Sequence, residues 1–268
     1  MEEILKNYIG SLLLVSALLV SVTSHTAYAK SPLTSLETLD YQIVTLNNEV
    51  GTLSLRVNET SGVVSKMQGE VVTTGALDKF YPVRNRQVSY VEKSGTPSKT
   101  LQKRSGKTGI TNLNIRYEGH KVLVFQEKDG KETNKVRKHP SPVQDVLTSL
   151  LLLKDWDFKK RPVITFTMFS GKQFFNVKAS VAGLEEIWTP LRKVEDAQRI
   201  DIVIERIGGK KRKKVKTSMW VDPDNPKYPL KATYRTKYVG DVVVLLKSRS
   251  FETLQNRSKT KKSRVKKG

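Results

Sequence analysis

Residues 141–154, SPVQDVLTSLLLLK, have the strongest helical pattern in the chain, and strand-like segments lie on both sides of them. Ser141 suits the N-cap, Pro142 suits the first helical position, and Gln144 completes an S-x-x-Q capping box. This pattern predicts one short helix that packs on a β-sheet. The apolar residues that form its helical stripe are Val143, Val146, Leu147, Leu150 and Leu151.

Alternation of apolar and polar residues predicts antiparallel strands before and after this helix. Residues 199–206, RIDIVIER, place Ile200, Ile202 and Ile204 on one face and mostly charged residues on the other. That distribution is typical of a sheet with one side in water. About a dozen such segments are separated by turn residues, among them Asp129-Gly130.

Four segments interrupt the regular strand pattern. Gly69 predicts a bulge or bend in the segment around it. Residues 93–109 are rich in Lys, Ser, Gly and Thr, which predicts a long exposed loop or an irregular hairpin. Residues 80–83 are predicted as an irregular crossing, and residues 134–139 as a basic path into the helix.

The fold class predicted from these patterns is mainly β. We expect a strongly bent antiparallel sheet or a partly closed barrel, with one covering α-helix at about residues 141–154; two sheets in a sandwich are the alternative. The predicted organisation is a signal peptide at 1–29, a leader at 30–38, a single β domain at 39–247 and a disordered basic tail at 248–268.

The N-terminus has the pattern of a secretory signal. Residues 9–22, IGSLLLVSALLVSV, carry no charge, and their 14 residues are fewer than the ~18 expected of a membrane-spanning helix. The small-x-small tripeptide AYA at residues 27–29 predicts cleavage after Ala29. Glu2 and Glu3 depart from the usual basic start, so a misplaced start codon and an uncleaved anchor remain alternatives.

The formal net charge of +22 is unevenly distributed along the chain. Much of the excess lies in residues 210–216, KKRKKVK, and in the C-terminal tail, where it indicates either a solvated surface or attraction to an anionic one. Behind a signal peptide, that surface would be lipid head groups, lipopolysaccharide phosphates or cell-wall polymers, and no nucleic acid is expected. The candidate contacts are Lys210, Lys211, Arg212, Lys213, Lys214, Lys261, Lys262, Arg264, Lys266 and Lys267.

The inventory of reactive residues contains no recognisable catalytic set. The chain has no cysteine, which removes disulfides, thiol catalysis and cysteine-based metal sites. His120 and His139 stand beside a glycine and a proline and are predicted as surface residues. Residues 222–226, DPDNP, do not fit a calcium loop, and no phosphate-binding or nucleophile-elbow motif is present. We therefore expect no enzymatic activity, no cofactor and no metal.

Apolar and aromatic side chains are plentiful after position 146. Core packing accounts for most of them, and the alternative is the lining of an apolar ligand site in the concave side of a curved sheet. The candidate lining residues are Leu147, Leu150, Leu151, Phe166, Trp188 and Trp220.

Two motifs resemble a known family. Residues 144–154 look like the D-x-L-S-x-L-x-x-L-R helix of the bacterial envelope family designated domain of unknown function 3108, with Lys154 where the family often has Arg. Residues 219–246 are similar to its C-terminal strands, and residues 39–57 fit its opening hairpin. The resemblance implies an exported, mostly antiparallel β protein, most often of Gram-negative bacteria. It implies no established activity and no catalytic residues.

Two functional hypotheses follow. The first is a monomeric, non-enzymatic periplasmic protein that binds or carries an apolar or amphipathic envelope component, such as a lipid. The alternative is a structural or scaffolding protein that docks on anionic membrane or cell-wall surfaces through a basic hairpin at residues 210–216 and its tail.

Overall fold

The computed structural model describes residues 34–107, 109–139, 142–208, 214–222, 229–236 and 240–254. The predicted signal peptide at 1–29 lies outside the described residues, as do the tail after Leu254 and most of the basic hairpin. The elements before the central helix are β1 (Thr34–Thr45), β2 (Asn48–Thr60), β3 (Val63–Thr73), α1 (Gly75–Phe80), β4 (Val83–Val91), β5 (Pro97–Gly106), β6 (Gly109–Glu118), β7 (Lys121–Lys128), β8 (Lys131–Lys138) and β9 (Val143–Gln144). The central helix and the strands after it are α2 (Val146–Asp155), β10 (Val163–Phe169), β11 (Phe174–Trp188), β12 (Lys193–Arg206), β13 (Lys214–Val221), β14 (Pro229–Thr236) and β15 (Gly240–Leu254).

All of these strands belong to one 15-stranded sheet. Its order is β8-β7-β6-β5-β4-β3-β2-β1-β15-β14-β13-β12-β11-β10-β9, so each half of the chain is a meander. The halves meet where β1 pairs with β15, and the pairing is antiparallel except between β9 and β10. The predicted bent antiparallel sheet is confirmed, and the structure has one sheet rather than the two of a sandwich.

Tight turns join several neighbouring strands. Leu46 and Asn47 have φ of 48° and 62° between β1 and β2, and Asp129 and Gly130 have φ of 50° and 78° between β7 and β8. Two successive left-handed residues give the turn that matches the twist of a hairpin. The predicted turn at Asp129-Gly130 is confirmed.

The inner face of the sheet carries the main core. In β1, Leu39, Tyr41 and Ile43 are buried while the residues between them are more exposed. Ile200, Ile202 and Ile204 are buried in the same way on β12, as their alternation predicts. Both sets belong to one apolar cluster that also contains the buried leucines of α2.

The two ends of the sheet approach each other through side-chain packing. Leu113 and Ile115 on β6 form a second apolar cluster with Val143 on β9 and Phe169 on β10. A Cβ atom placed on Gly171, in the β10–β11 turn, would lie 3.0 Å from Leu113 Cδ1. The sheet is therefore barrel-like, with closure by packing where no strands pair.

Helix α2 begins later than its sequence pattern predicts. Its N-cap is Asp145, which forms a capping box with Thr148, so the prediction of Ser141 as N-cap and Gln144 as its partner is wrong. Val143 and Gln144 instead form β9, whose pairing with β10 keeps the backbone extended up to the helix. Ser141 itself lies outside the described residues.

Gly69 makes room for this helix rather than bending its strand. The β2–β3 register shifts between Asn58 and Glu59 and is regular at Gly69. A Cβ atom on Gly69 would lie 3.1 Å from Cδ2 of Leu147 on α2 and 3.1 Å from Cδ2 of Leu55 on β2. Because a Cβ atom there would push both leucine side chains aside by a few tenths of an ångström, glycine lets α2 lie close against β3.

Several segments predicted as irregular are regular in the structure. Residues 93–109 contain β5 and residues 131–138 form β8, whereas Tyr81 and Pro82 form the predicted irregular link between a short helix, α1, and β4. Arg84 binds Asp78 of this helix, and the hydrogen bond lowers the pKa of Asp78 to about 2. The apolar alternation is missing from β5 because polar side chains occupy its inward positions.

The described strands extend beyond the predicted domain boundaries at both ends. β1 begins at Thr34, before residue 39, and β15 ends at Leu254, after residue 247. Residues 248–254 of β15 pair with residues 34–40 of β1. The first part of the predicted tail therefore lies within the sheet.

Candidate functional site

A buried hydrogen-bonded network joins the N-terminus of α2 to β4 and β5. Asp145 is 1% exposed and accepts hydrogen bonds from Ser89 Oγ at 2.5 Å and from Thr100 Oγ1. Its other carboxylate oxygen accepts from the backbone N–H of Thr148 at 2.7 Å and from the Thr148 hydroxyl at 3.0 Å. Because these donors satisfy the buried carboxylate, the network holds the helix on the sheet.

The network continues along the inner face of β4 and β5. Gln87 Nε2 donates to Ser89 Oγ at 3.2 Å, and Gln102 Nε2 donates to Gln87 Oε1 at 2.6 Å. Arg104 Nη2 donates to Gln102 Oε1 at 2.7 Å and to the backbone carbonyl of Ser170 at 2.9 Å. Burial lowers the pKa of Arg104. A chain of polar side chains therefore connects the β10–β11 turn to α2.

Tyr117 on β6 adjoins this network. Its hydroxyl oxygen lies 3.4 Å from Thr100 Oγ1. Burial raises the pKa of Tyr117, and the negative charge of Asp145 raises it further. Donors occupy both carboxylate oxygens of Asp145, so the geometry explains this residue as a cap and a brace. The structure thus places Asp145 at the N-cap of α2.

The opposite face of β4–β8 forms an open trough with a volume of about 660 Å³. Its floor is a row of side chains that pair across the five strands. Phe125 is 38% exposed there, and the buried Oδ1 of Asn114 has no hydrogen-bond partner. In order from β4 to β8, the floor residues are Val88, Leu101, Asn114, Phe125 and Asn134.

A row of charged and amide side chains lies along one side of this floor. Lys103 and Arg86 are neighbours at one end, and Glu127 and Glu132 are neighbours at the other. Asn112 Nδ2 lies between them and donates to Glu127 Oε2 at 3.1 Å. The trough thus combines an apolar centre with both signs of charge at its border, an arrangement suited to an amphipathic molecule.

The predicted ligand-lining residues lie elsewhere. Leu147, Leu150 and Leu151 are buried in the core between α2 and the sheet. Phe166 is half-buried against the same core, whereas Trp188 is 67% exposed at the end of β11. None of these residues lines the β4–β8 trough.

Trp220 is held on the outer face of the sheet by polar neighbours. Its indole N–H donates to Glu185 Oε2 at 2.8 Å, and Lys231 Nζ lies 4.8 Å from its ring centroid. Arg199 donates to Glu185 Oε1 at 2.8 Å, and these contacts lower the pKa of Glu185. Trp220 is only 6% exposed, because these partners and the side chains of the main apolar cluster cover it.

Of the predicted anionic-surface contacts, Lys214 is the one that the structure describes. It is exposed at the start of β13. The other nine candidates lie outside the described residues: Lys210, Lys211, Arg212, Lys213, Lys261, Lys262, Arg264, Lys266 and Lys267.

Sequence reasoning missed both the buried network and the trough. Thr100 and Gln102 stand in a segment without apolar alternation, and that segment alone does not indicate burial. The one local signal for the trough is the outward alternation of Leu123, Phe125 and Glu127 on β7. The partners of Phe125 are Asn114 on β6 and Asn134 on β8, and they are fixed by the registers of the two hairpins that β7 forms.

The fold defines a class of protein: a barrel-like antiparallel sheet with a helix packed on its inner face. Residues 38–247 match the profile of the family described as Protein of unknown function (DUF3108), and the chain belongs to this family. The family resemblance noted from the sequence is thus confirmed. The curated proteins include no significant match.

Two solved structures are similar to this chain, and the first shares its fold. A β-barrel-like protein with a domain of unknown function, DUF1849, from Brucella abortus has 11% sequence identity and a TM-score of 0.58, over 82% of this chain and 98% of that one. A presumed exported protein with a YmcC-like fold from Bacteroides fragilis has 8% identity and a TM-score of 0.33, over 86% and 99%. At these identities the likeness to the Brucella protein concerns the fold alone.

No helix in the described ranges is long and apolar enough to cross a membrane. In the same part of the chain, no group of three or more His, Asp or Glu side chains has a geometry that could hold a metal ion.

Proposed function

We propose that this protein is an exported, non-enzymatic protein of the bacterial envelope that binds an amphipathic envelope component in the β4–β8 trough. The observation that carries the proposal is the trough itself. Its volume of about 660 Å³ lies within the roughly 300–1,000 Å³ typical of ligand sites.

The side chains of the trough determine the class of ligand. Val88, Leu101 and Phe125 offer apolar surface to a hydrocarbon chain. Arg86 and Lys103, at one end of the border, suit an anionic head group. A lipid or lipid-like molecule with a phosphate or carboxylate head satisfies both features, because its two parts require the two surfaces.

Export is supported by the sequence. Residues 9–22 and the predicted cleavage site after Ala29 have the order of a secretory signal. A periplasmic location is the expectation for an exported protein of a Gram-negative envelope, where amphipathic lipids are abundant.

The binding proposal is tested with the mature chain, residues 30–268, purified from its native envelope. Lipid extraction followed by mass spectrometry is expected to yield a bound amphipathic molecule. Binding of a fluorescent fatty-acyl probe should weaken about tenfold in Phe125→Ala, because a side-chain contact worth roughly 1.4 kcal/mol is lost.

Phe251→Ala is the matched control. Phe251 is 59% exposed on β15, outside the trough, so its removal should leave probe binding unchanged. Equal binding by the two variants would place the ligand elsewhere. A chain that retains no lipid and binds no probe would contradict the proposed function.

A second candidate function is supported by the net charge of +22. In this alternative the chain docks on anionic membrane or cell-wall surfaces, with the basic hairpin and tail as its contacts. Lipid binding requires the residues of the trough, whereas surface docking requires the basic hairpin and the tail.

A further inference from the structure

We propose that β8 is a docking edge for an extended acidic segment of a partner protein, which would add to the sheet as a further strand. β8 is the last strand in the sheet order and pairs only with β7 among the described elements. Its other edge presents backbone N–H and C=O groups that a new strand could pair with. β8 also contributes Glu132 and Asn134 to the trough, but this binding uses the backbone edge of the strand and does not depend on the proposed ligand site.

The exposure of β8 shows why it is available to a partner. All eight of its residues are exposed, so no other element of the described ranges covers either face of the strand. The ladder with β7 is what holds it in the sheet. Such a strand has low local stability and gains order when a second neighbour pairs with it.

The charge of β8 determines the chemistry of the partner. The register with β7 places three cations, Lys131, Lys135 and Arg137, on the face that also carries Val122 and Val124. Thr133 is the fourth residue on that face. A partner strand with Asp or Glu at alternate positions would therefore set its acids beside these cations.

Like charges within the β7–β8 pair favour the same partner. Lys121 lies directly opposite Lys138, and Lys128 lies directly opposite Lys131. Lysines in such positions repel each other and destabilise the pairing. They also prevent edge-to-edge association of two copies of this chain, whereas an acidic strand would offset the repulsion.

The face of β8 on the trough side carries different side chains, and these narrow the sequence expected of the partner strand. Glu132, Asn134, Val136 and Lys138 lie on it, with Glu132 opposite Glu127. Acidic residues are not favoured there, so the partner segment should alternate acids with Thr or Val. This alternation distinguishes strand addition from simple attraction between a polyanion and a basic surface.

The test uses a fluorescent ten-residue peptide in which Glu alternates with Thr and Val. Its binding to the mature chain is measured by fluorescence anisotropy. Binding should fall at least about tenfold in the double variant Lys135→Glu/Arg137→Glu. Lys178→Glu/Lys216→Glu is the matched control, since it changes the net charge equally at exposed positions on β11 and β13. The control should bind the peptide as the wild-type chain does.

Two further peptides test the backbone pairing. A peptide with Lys in place of Glu should not bind. The acidic peptide with alternate amides N-methylated, so that they cannot donate hydrogen bonds, should also bind at least about tenfold more weakly. Hydrogen exchange of β8 amides should slow in the complex with the unmodified acidic peptide.

Equal binding of the methylated and unmodified peptides would overturn strand addition. Equal binding by the two double variants would overturn the assignment to β8. Circular dichroism of each variant establishes that the fold is retained, and β8 is a suitable place for substitution because its side chains are exposed.

Discussion

Asp145 connects local helix chemistry with long-range packing. The same carboxylate caps α2 through Thr148 and accepts hydrogen bonds from Ser89 on β4 and Thr100 on β5. An N-cap alone can be provided by a solvent-exposed residue, but this one is buried and holds three elements together. Its replacement removes the cap and leaves two buried hydroxyls without their acceptor.

Asp145→Ala should therefore lower the free energy of unfolding by about 3–5 kcal/mol. The loss combines roughly 1 kcal/mol for the cap with about 1–3 kcal/mol for each unsatisfied buried hydroxyl, partly relieved by relaxation. Asp145→Asn should cost less, because one carbonyl oxygen still accepts from the helix. Urea unfolding followed by circular dichroism measures both values.

Asp196→Ala is the control for this substitution. Asp196 is exposed on β12, and its removal should change stability by no more than about 0.5 kcal/mol. If Asp145→Ala lowers the free energy of unfolding by less than about 1 kcal/mol, the buried network adds little to what a solvent-exposed N-cap would contribute.

At the scale of elements, β15 joins the two halves of the sheet. Residues 240–245 of β15 pair with β14, and residues 242–246 and 248–254 pair with β1. In the last part, Arg249 Nε donates to Glu37 Oε1 at 2.8 Å, and Glu37 is only 2% exposed. The end of β15 therefore covers the edge of β1 and provides a cation for a buried carboxylate.

A chain ending at Lys247 should be less stable than one ending at Leu254. The shorter chain loses the pairing of residues 248–254 with β1 and leaves Glu37 without Arg249. We expect a difference of about 2–4 kcal/mol in the free energy of unfolding, below the full loss for a buried pair because Arg249 is partly exposed. Urea unfolding measures it, and equal stability would contradict the structural role of residues 248–254.

The elements predicted best from the sequence are those whose burial follows a local pattern. β12 alternates isoleucines with charged residues, and the turn at Asp129-Gly130 has the required residue types. β5 was missed because its inward Thr100 and Gln102 are polar and are satisfied by a network that comes from other strands. The start of α2 was misplaced because two capping patterns overlap, and pairing of β9 with β10 decides between them.

At the scale of the whole molecule, the order of strands brings together residues that are far apart in the sequence. Pairing of β1 with β15 unites the two meanders, and packing of β6 against β10 closes the sheet. The curvature of the sheet was predictable from the sequence. The order of its strands was not, because neither contact has a local signature. The trough depends on the registers of the successive strands β4–β8, since each strand contributes two or three of its lining side chains.

The charge of the whole chain gives the last prediction. The mature chain should bind phosphatidylglycerol vesicles and not phosphatidylcholine vesicles, and binding should weaken steeply with salt because long-range attraction is screened.

Residues 255–268 contain seven Lys and Arg and no Asp or Glu. At roughly 1 kcal/mol for each cation near the surface, a chain ending at Leu254 should bind at least about 100-fold more weakly at low salt. This chain keeps all of β15, so weaker binding reports the tail rather than unfolding. Salt-insensitive binding, or equal binding by both chains in a vesicle sedimentation assay, would assign the excess charge to solubility instead of docking.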